Sequence, residues 1–261
     1  MSRISLTVEN HIATVTLTRG DKMNALDPKM FAAILETGEA LRTRDDIRAV
    51  VLTGEGKAFC AGLDVMSFGA LAGSDPKEAL MPRTYGDSND FQQAALTWRK
   101  IPVPVIAALH GAALGGGFQI AMGADIRVAA PDTKMSIMEM KWGIIPDMGG
   151  MTLLPKLMPS DVLRRLIYTN ETFDAAQALQ WHLVTELSDD PLARAQALAA
   201  TIAGKSPSAI RAAKRLIDVA ETADRNAVLL AESAEQADLI GKPHQMEVIA
   251  ANMQGRAAKF D

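Results

Sequence analysis

Three adjacent glycines, Gly115-Gly116-Gly117, lie between two buried-looking segments. Before them runs an apolar stretch of strand length, residues 103–109. After them, Phe118-Gln119-Ile120-Ala121-Met122 has the pattern of a buried helix. A strand, a turn stripped of Cβ atoms and a helix start leave bare backbone N–H groups within reach of a ligand. The first amides of a helix lack intrahelical acceptors and sit at the positive end of its dipole. The stretch can hold an anion, or an oxygen that becomes one. It lacks the Gly-x-x-x-x-Gly-Lys-Ser/Thr of a phosphate loop, and it matches the dinucleotide fingerprint only as far as the second glycine. An oxyanion site and a purely structural turn remain.

The elements needed to position this turn are readable along the chain. Residues 4–8 and 12–18 alternate apolar and polar and read as a hairpin, with Glu9-Asn10-His11 as its turn and His11 in solvent. Asp27-Pro28 opens a helix as cap and first residue, with Met30, Ile34 and Leu41 on its apolar face. A buried strand over 49–53 feeds a second glycine-bearing loop, Gly54 to Asp64. Residues 67–90 have weak periodicity and read either as a mobile segment beside a site or as a surface insertion. Residues 91–100 are helical and stop at Ile101-Pro102. A short strand over 125–130, helices over 149–158 and 161–168, and a last strand over 183–187 follow. Everything from Pro191 on is helical, with apolar stripes over 192–203, 207–220 and 223–240, and a further helix over 246–252. The expected architecture is an α/β core over 1–190 and a helical region over 191–261.

Composition removes several functions. A net charge of −4 supplies no basic field for nucleic acid. No apolar run approaches the ~20 residues that span a bilayer, and the N-terminus enters a strand without a signal-peptide core. One cysteine, Cys60, excludes an internal disulfide and fits a reducing compartment. Four scattered histidines lack metal-ligand spacing. A soluble cytoplasmic protein without a metal is expected.

Taken together, Met23-Asn24-Ala25-Leu26, Lys57-Ala58-Phe59-Cys60-Ala61-Gly62-Leu63-Asp64, Pro104-Val105-Ile106-Ala107 leading to the glycine triplet, Ala124-Asp125-Ile126-Arg127, and Gly143-Ile144-Ile145-Pro146 before Gly149-Gly150 resemble the crotonase superfamily, the enoyl-CoA hydratase/isomerase family. The matching segments are collinear over nearly the whole chain. The resemblance implies a spiral of ββα turns and a C-terminal helical trimerisation region, so a homotrimer or a hexamer built as a dimer of trimers. It implies a coenzyme A thioester as substrate, with coenzyme A present only as part of it and no permanently bound cofactor. By position, the backbone N–H groups of Leu63 and Gly116 would hold the thioester oxygen, which agrees with the reading of the glycine turn. Met23, Ala25 and Leu26 would lie near the adenine end of coenzyme A, and Ala61 and Asp64 fall in the same binding segment. Lys259 and Phe260 resemble the tail through which a neighbouring subunit reaches the cofactor phosphates.

The family's hydratases carry two glutamates, at positions that here hold Gln119 and Glu139. Hydration needs one group to activate water and one to help protonate carbon. A glutamine exchanges no proton near pH 7, though it can orient a water. Moving a double bond asks for one carboxylate, and family isomerases acting on 3-enoyl-CoA resemble this pattern. Asp147 resembles an acid of the dienoyl-CoA isomerases, which also carry an aspartate where Gln119 stands. The expectation is an isomerase of enoyl- or dienoyl-CoA with Glu139 as acid and base. The alternatives are a hydratase in which Gln119 orients the water, and a non-catalytic binder of acyl-CoA or RNA.

Each residue also has a plainer reading. Asp147 could cap the helix that follows it, Glu139 could face solvent, Asp64 could stabilise its turn, and His110 could bond within its own turn. Cys60 reads as a small buried side chain. The methionines at 135, 138, 140, 148, 151 and 158 read as core, or as the lining of a pliable acyl pocket, with Trp142 packing or forming a wall.

Overall fold

The computed structural model describes residues 2–64, 66 and 75–260. The hairpin pairs β1 (Ile4–Glu9) with β2 (Ile12–Leu17) antiparallel. Its turn is sharp because Asn10 and His11 both adopt positive φ, and the His11 ring meets the Asp46 carbonyl. The chain then crosses through α1 (Pro28–Arg42) to β3 (Ala49–Gly54). Asp27 caps α1 through the Met30 N–H at 2.8 Å, so the Asp-Pro signal marks the helix start.

The main sheet has six strands in the order β1-β2-β3-β4-β6-β9. Here β4 is Val105–Leu109, β6 is Ile126–Ala129 and β9 is Glu186–Leu187. All pairs after the hairpin are parallel. Parallel strands covered on both faces read as unbroken apolar runs, and every residue of β3 and β4 is buried. One sheet face, with Val50, Leu52, Val105 and Ala107, packs into the larger core. The other, with Ala49, Val51, Ile106 and Ala108, is covered by Ala195 and Ala199 of α8 (Pro191–Ala203).

A second, three-stranded sheet joins β5 (Ala112–Leu114), β7 (Lys134–Ser136) and β8 (Phe173–Asp174) in the order β5-β7-β8. Single bridges Leu26 to Leu63 and Cys60 to Ala113 extend the same pattern to earlier turns. Each turn of the chain thus gives one strand to the large sheet and one short extended segment to the second layer, the expected ββα spiral. Sequence periodicity did not reveal this second layer, because strands of two or three residues are too short to show a period.

The remaining helices are α2 (Pro76–Leu80), α3 (Asp90–Lys100), α4 (Gly116–Met122), α5 (Gly150–Leu157), α6 (Ser160–Thr169), α7 (Ala175–Gln180), α9 (Pro207–Ala220), α10 (Arg225–Leu239) and α11 (Pro243–Met253). The segment read as mobile or inserted falls partly outside the described residues, at 67–74. The C-terminal helical region is not uniform. Helix α8 covers the sheet, and α9 is fastened to it by the buried Lys214, whose ammonium meets Asp125 at 2.7 Å and the Val103 carbonyl at 3.0 Å. Burial holds this lysine below its ordinary pKa, against the opposing pull of Asp125. Helix α10 buries no residue.

Candidate active site

The second layer brings the two glycine loops together. Cys60 N–H donates to Ala112 O, and Leu114 N–H donates to Cys60 O. Leu26 N–H donates to Gly62 O, and Asp64 N–H donates to Leu26 O. In this parallel bridge the flanking residues make the hydrogen bonds, so the Leu63 N–H is left unused by it. Gly116 is the first residue of α4, so its N–H has no intrahelical acceptor. The loops touch at glycines. Gly62 has φ +86°, and a Cβ there would lie 2.6 Å from Leu114 O and 3.5 Å from Gly116 N. At Gly117 a Cβ would lie 2.4 Å from Cys60 O. Any side chain at either place would force the two loops apart.

The acid–base residues arrive on the same framework. Strand β5 pairs with β7 so that Leu114 faces Ser136, and the Gly115 N–H donates to Ser136 O. Three residues further on, a 3-10 turn over Glu139–Trp142 returns the Glu139 side chain toward the glycines. A Cβ at Gly115 would lie 3.5 Å from Glu139 Oε1. Glu139 is 7% exposed, so the reading of a solvent-facing glutamate is overturned. Its Oε2 is buried with no hydrogen-bond partner among the described residues. Burial raises its pKa above the usual glutamate value, a hydrogen bond from Gln119 pulls it back down, and the nearby Asp147 charge adds to the rise.

Gln119 sits one turn into α4 and is 1% exposed. Its Nε2 donates to Glu139 Oε1 at 2.6 Å, and its Oε1 accepts from Met148 N at 2.9 Å and Gly150 N at 3.0 Å. Those contacts fix which end of the amide faces which partner. They also settle the start of α5. Its N-cap is Gly149, with no side-chain cap, so Asp147 does not cap this helix and that reading is corrected. Asp147 is half-buried, lines the same cavity as Glu139, and has its pKa raised by burial.

This cavity, about 780 Å³, is also lined by Leu63, Gly116, Met138, Trp142 and Met148. The dense methionines therefore divide: Met138 and Met148 face the cavity, Met135 and Met158 are core, and Met140 and Met151 are exposed. A neighbouring cavity of about 830 Å³ shares Phe31, Leu63, Ala79 and Phe91 with it.

Part of the segment expected to lie against coenzyme A reaches the rim, with Ala61 lining the Glu139 cavity and Leu26 the neighbouring one. Met23 is 45% exposed, Ala61 N–H donates to Met23 O, and Ala25, Leu26 and Asp64 stand beside them. Two residues that sequence reasoning left without a role hold this rim. Buried Asn24 accepts from Arg19 N and donates to Glu55 O and Ala58 O. Arg19 pairs with Asp64 at 2.7 Å and donates to Ala25 O. Asp64 therefore stabilises its turn, and Arg19 holds its carboxylate below the usual range. The only sequence signal was an Asn inside a motif and a lone Arg ahead of it.

Lys259 and Phe260 are not brought to this site within the chain. Phe260 packs against His244 and the Arg48 guanidinium, and Lys259 N–H donates to Glu247. His110 bonds Gly56 O, across to the other glycine loop rather than within its own turn. Cys60 donates to Asn24 O and is buried. Desolvation pushes its thiol up to about 12, so it is the inert side chain expected. No group of side chains suited to a metal ion is found, and no helix is long and apolar enough to cross a membrane, among the described residues.

A family model described as enoyl-CoA hydratase/isomerase matches residues 7–261. The chain belongs to the enoyl-CoA hydratase/isomerase family. It is an enzyme of the crotonase superfamily, and the spiral is the crotonase fold. The chain is 35% identical over 215 residues to (E)-benzylidenesuccinyl-CoA hydratase of Thauera aromatica, covering 81% of this chain and 80% of that one. A crystal structure of enoyl-CoA hydratase from Bacillus anthracis superposes with a TM-score of 0.89 at 27% identity, covering 99% and 98% of the two chains. Another, of an enoyl-CoA hydratase from Polaromonas sp. JS666, gives a TM-score of 0.89 at 28% identity over 99% of both.

Proposed function

We propose that this enzyme moves a carbon–carbon double bond along the acyl chain of an enoyl- or dienoyl-CoA thioester. The observation that carries this reading is a single carboxylate, Glu139, at the glycine junction, with an amide at position 119 where a second carboxylate would be needed for water addition. The thioester oxygen lies between the N–H groups of Leu63 and Gly116. Ionised Glu139 removes a proton from C2 of a 3-enoyl thioester, and the electron pair moves onto the thioester oxygen. One such donor is worth about 2.7–4 kcal/mol in the transition state, because it meets charge that develops only there. Protonated Glu139 then delivers the proton to C4, giving the conjugated 2-enoyl thioester. Asp147 is the candidate second acid where a longer conjugated system must be protonated further along.

The second reading is hydration, favoured by the names of the relatives. Gln119 Oε1 is already filled by two backbone N–H groups, so only its remaining N–H could hold a water. Incubation with matched 2-enoyl-, 3-enoyl- and 3,5-dienoyl-CoA, with products followed by mass and ultraviolet spectra, tests the two. Isomerised product with solvent deuterium at the new position supports the first reading. Efficient water addition to 2-enoyl-CoA overturns it. The coenzyme A arm is proposed to pass Met23, Ala25, Leu26 and Ala61, with Lys259 and Phe260 acting on a neighbouring subunit of a homo-oligomer.

A further inference from the structure

The walls beyond Glu139 specify what kind of acyl group can be bound. Past the reacting carbons, the cavity is bounded by Leu80, Met138, Trp142, Ile144, Ile145 and Met148. Its charged residues are Glu139 and Asp147, both acidic. The adjoining cavity adds Glu36, Glu39, Glu78 and Asp90. No Lys, Arg or His lines either space among the described residues; the cations next to the lining include Arg83, which donates to the Leu80 and Pro82 carbonyls, and Lys141, 5.6 Å from the Trp142 ring. The field is felt by Tyr85, whose pKa is raised first by burial and then by Asp90, Glu39 and Glu36. Like charges at short range repel, so a further anion among these carboxylates is disfavoured.

We propose that the acyl group beyond the double bond is uncharged and apolar, and that acyl groups ending in a carboxylate are rejected. The apolar character follows from the wall of Leu80, Met138, Ile144, Ile145 and Met148, the kind of lining that ligand sites use for an apolar group. Rejection follows from the carboxylates of the lining, so specificity comes from repulsion as much as from fit. This inference rests on the site holding an acyl-CoA thioester.

The test separates the two. Octanoyl-CoA and its analogue ending in a carboxylate, suberoyl-CoA, are titrated calorimetrically. Matched eight-carbon 2-enoyl- and 3-enoyl-CoA pairs, ending in methyl or carboxylate, are assayed for turnover. The methyl-ended member should bind at least about thirtyfold more tightly, and kcat/KM should favour it by at least about a hundredfold, mostly through KM. An Ile145→Arg variant should narrow that gap at least about tenfold. Equal or tighter binding of suberoyl-CoA overturns the inference, whatever is turned over. Tight binding of octanoyl-CoA without turnover of any thioester supports the inference and counts against the reaction. Failure of both saturated thioesters to bind overturns both.

Discussion

Glu139 is both the proposed catalyst and a source of instability. Its ionised form is desolvated, so the folded chain holds the proton more tightly than the unfolded chain. Stability therefore declines as pH rises from the ordinary glutamate value, about 4.3, through the raised folded value, and the cost is full above that. Glu139→Gln should abolish isomerisation by at least about 10²–10⁴-fold while melting higher than the parent at pH 8. The difference, about 2–4 °C per kcal/mol relieved, should vanish near pH 4, where both side chains are neutral. Calorimetry at the two pH values checks it, and an equal or lower melting temperature at pH 8 would count against a buried charge. A base must be ionised, so kcat/KM should rise with pH through the same raised pKa. Gln119 stabilises the charged form by its 2.6 Å hydrogen bond. Gln119→Met should move that limb to higher pH and lower kcat more than it raises KM. Gln119→Glu would set two carboxyls in hydrogen-bond contact sharing one proton, and the limb should split into two steps belonging to the pair. A pH profile unmoved by either change would show that position 119 does not act on Glu139.

The glycine junction is where the elements meet, and it is less forgiving than its small side chains suggest. Gly117→Ala places a methyl 2.4 Å from the Cys60 carbonyl, a backbone atom that cannot swing aside. The loops carrying Leu63 and Gly116 would separate, so kcat should fall about 10²–10³-fold, the loss of an oxyanion donor. Truncating the Cys60 side chain with Cys60→Ala in the same chain should not restore it, because the backbone oxygen remains. Recovery of activity in that double variant would show that only the thiol was in the way. This element was legible in sequence as far as strand, bare turn and helix, because glycine runs and apolar runs are local signals. The contact with the second loop was not, since it is carried by β5, too short to show a period, and by the Cys60–Ala113 bridge. Position 139 became legible only through resemblance. A glutamate between two methionines carries no local sign of burial, and what buries it is α4, distant in sequence.

At the scale of the molecule, the hairpin, α1, the buried strands and the C-terminal helices were readable because each is long enough to show its period. The partner of each apolar stripe was not, and the stripes do not all find one within the chain. Helix α8 spends its face on the sheet. Helices α10 and α11 and their connector leave Leu230 71%, Ile240 60% and Met253 84% exposed, with Ile217 of α9 at 58%. An interface between copies of the chain would cover such side chains. The tail, Lys259 and Phe260, is held by His244, Arg48 and Glu247 and lines neither cavity, so a role at coenzyme A would require a second copy. The protein should therefore sediment as a homotrimer or a dimer of trimers. Leu230→Asp, which would bury an unpaired carboxylate in that contact, should shift it toward monomer. The monomeric variant should keep its far-ultraviolet dichroism, because α10 buries nothing against the core. Its KM for acyl-CoA should rise severalfold with a smaller change in kcat, because the reacting groups all come from one spiral while the tail would reach from another. A parent protein that sediments as a monomer at micromolar concentration would contradict this, and would leave Lys259 and Phe260 as packing residues only.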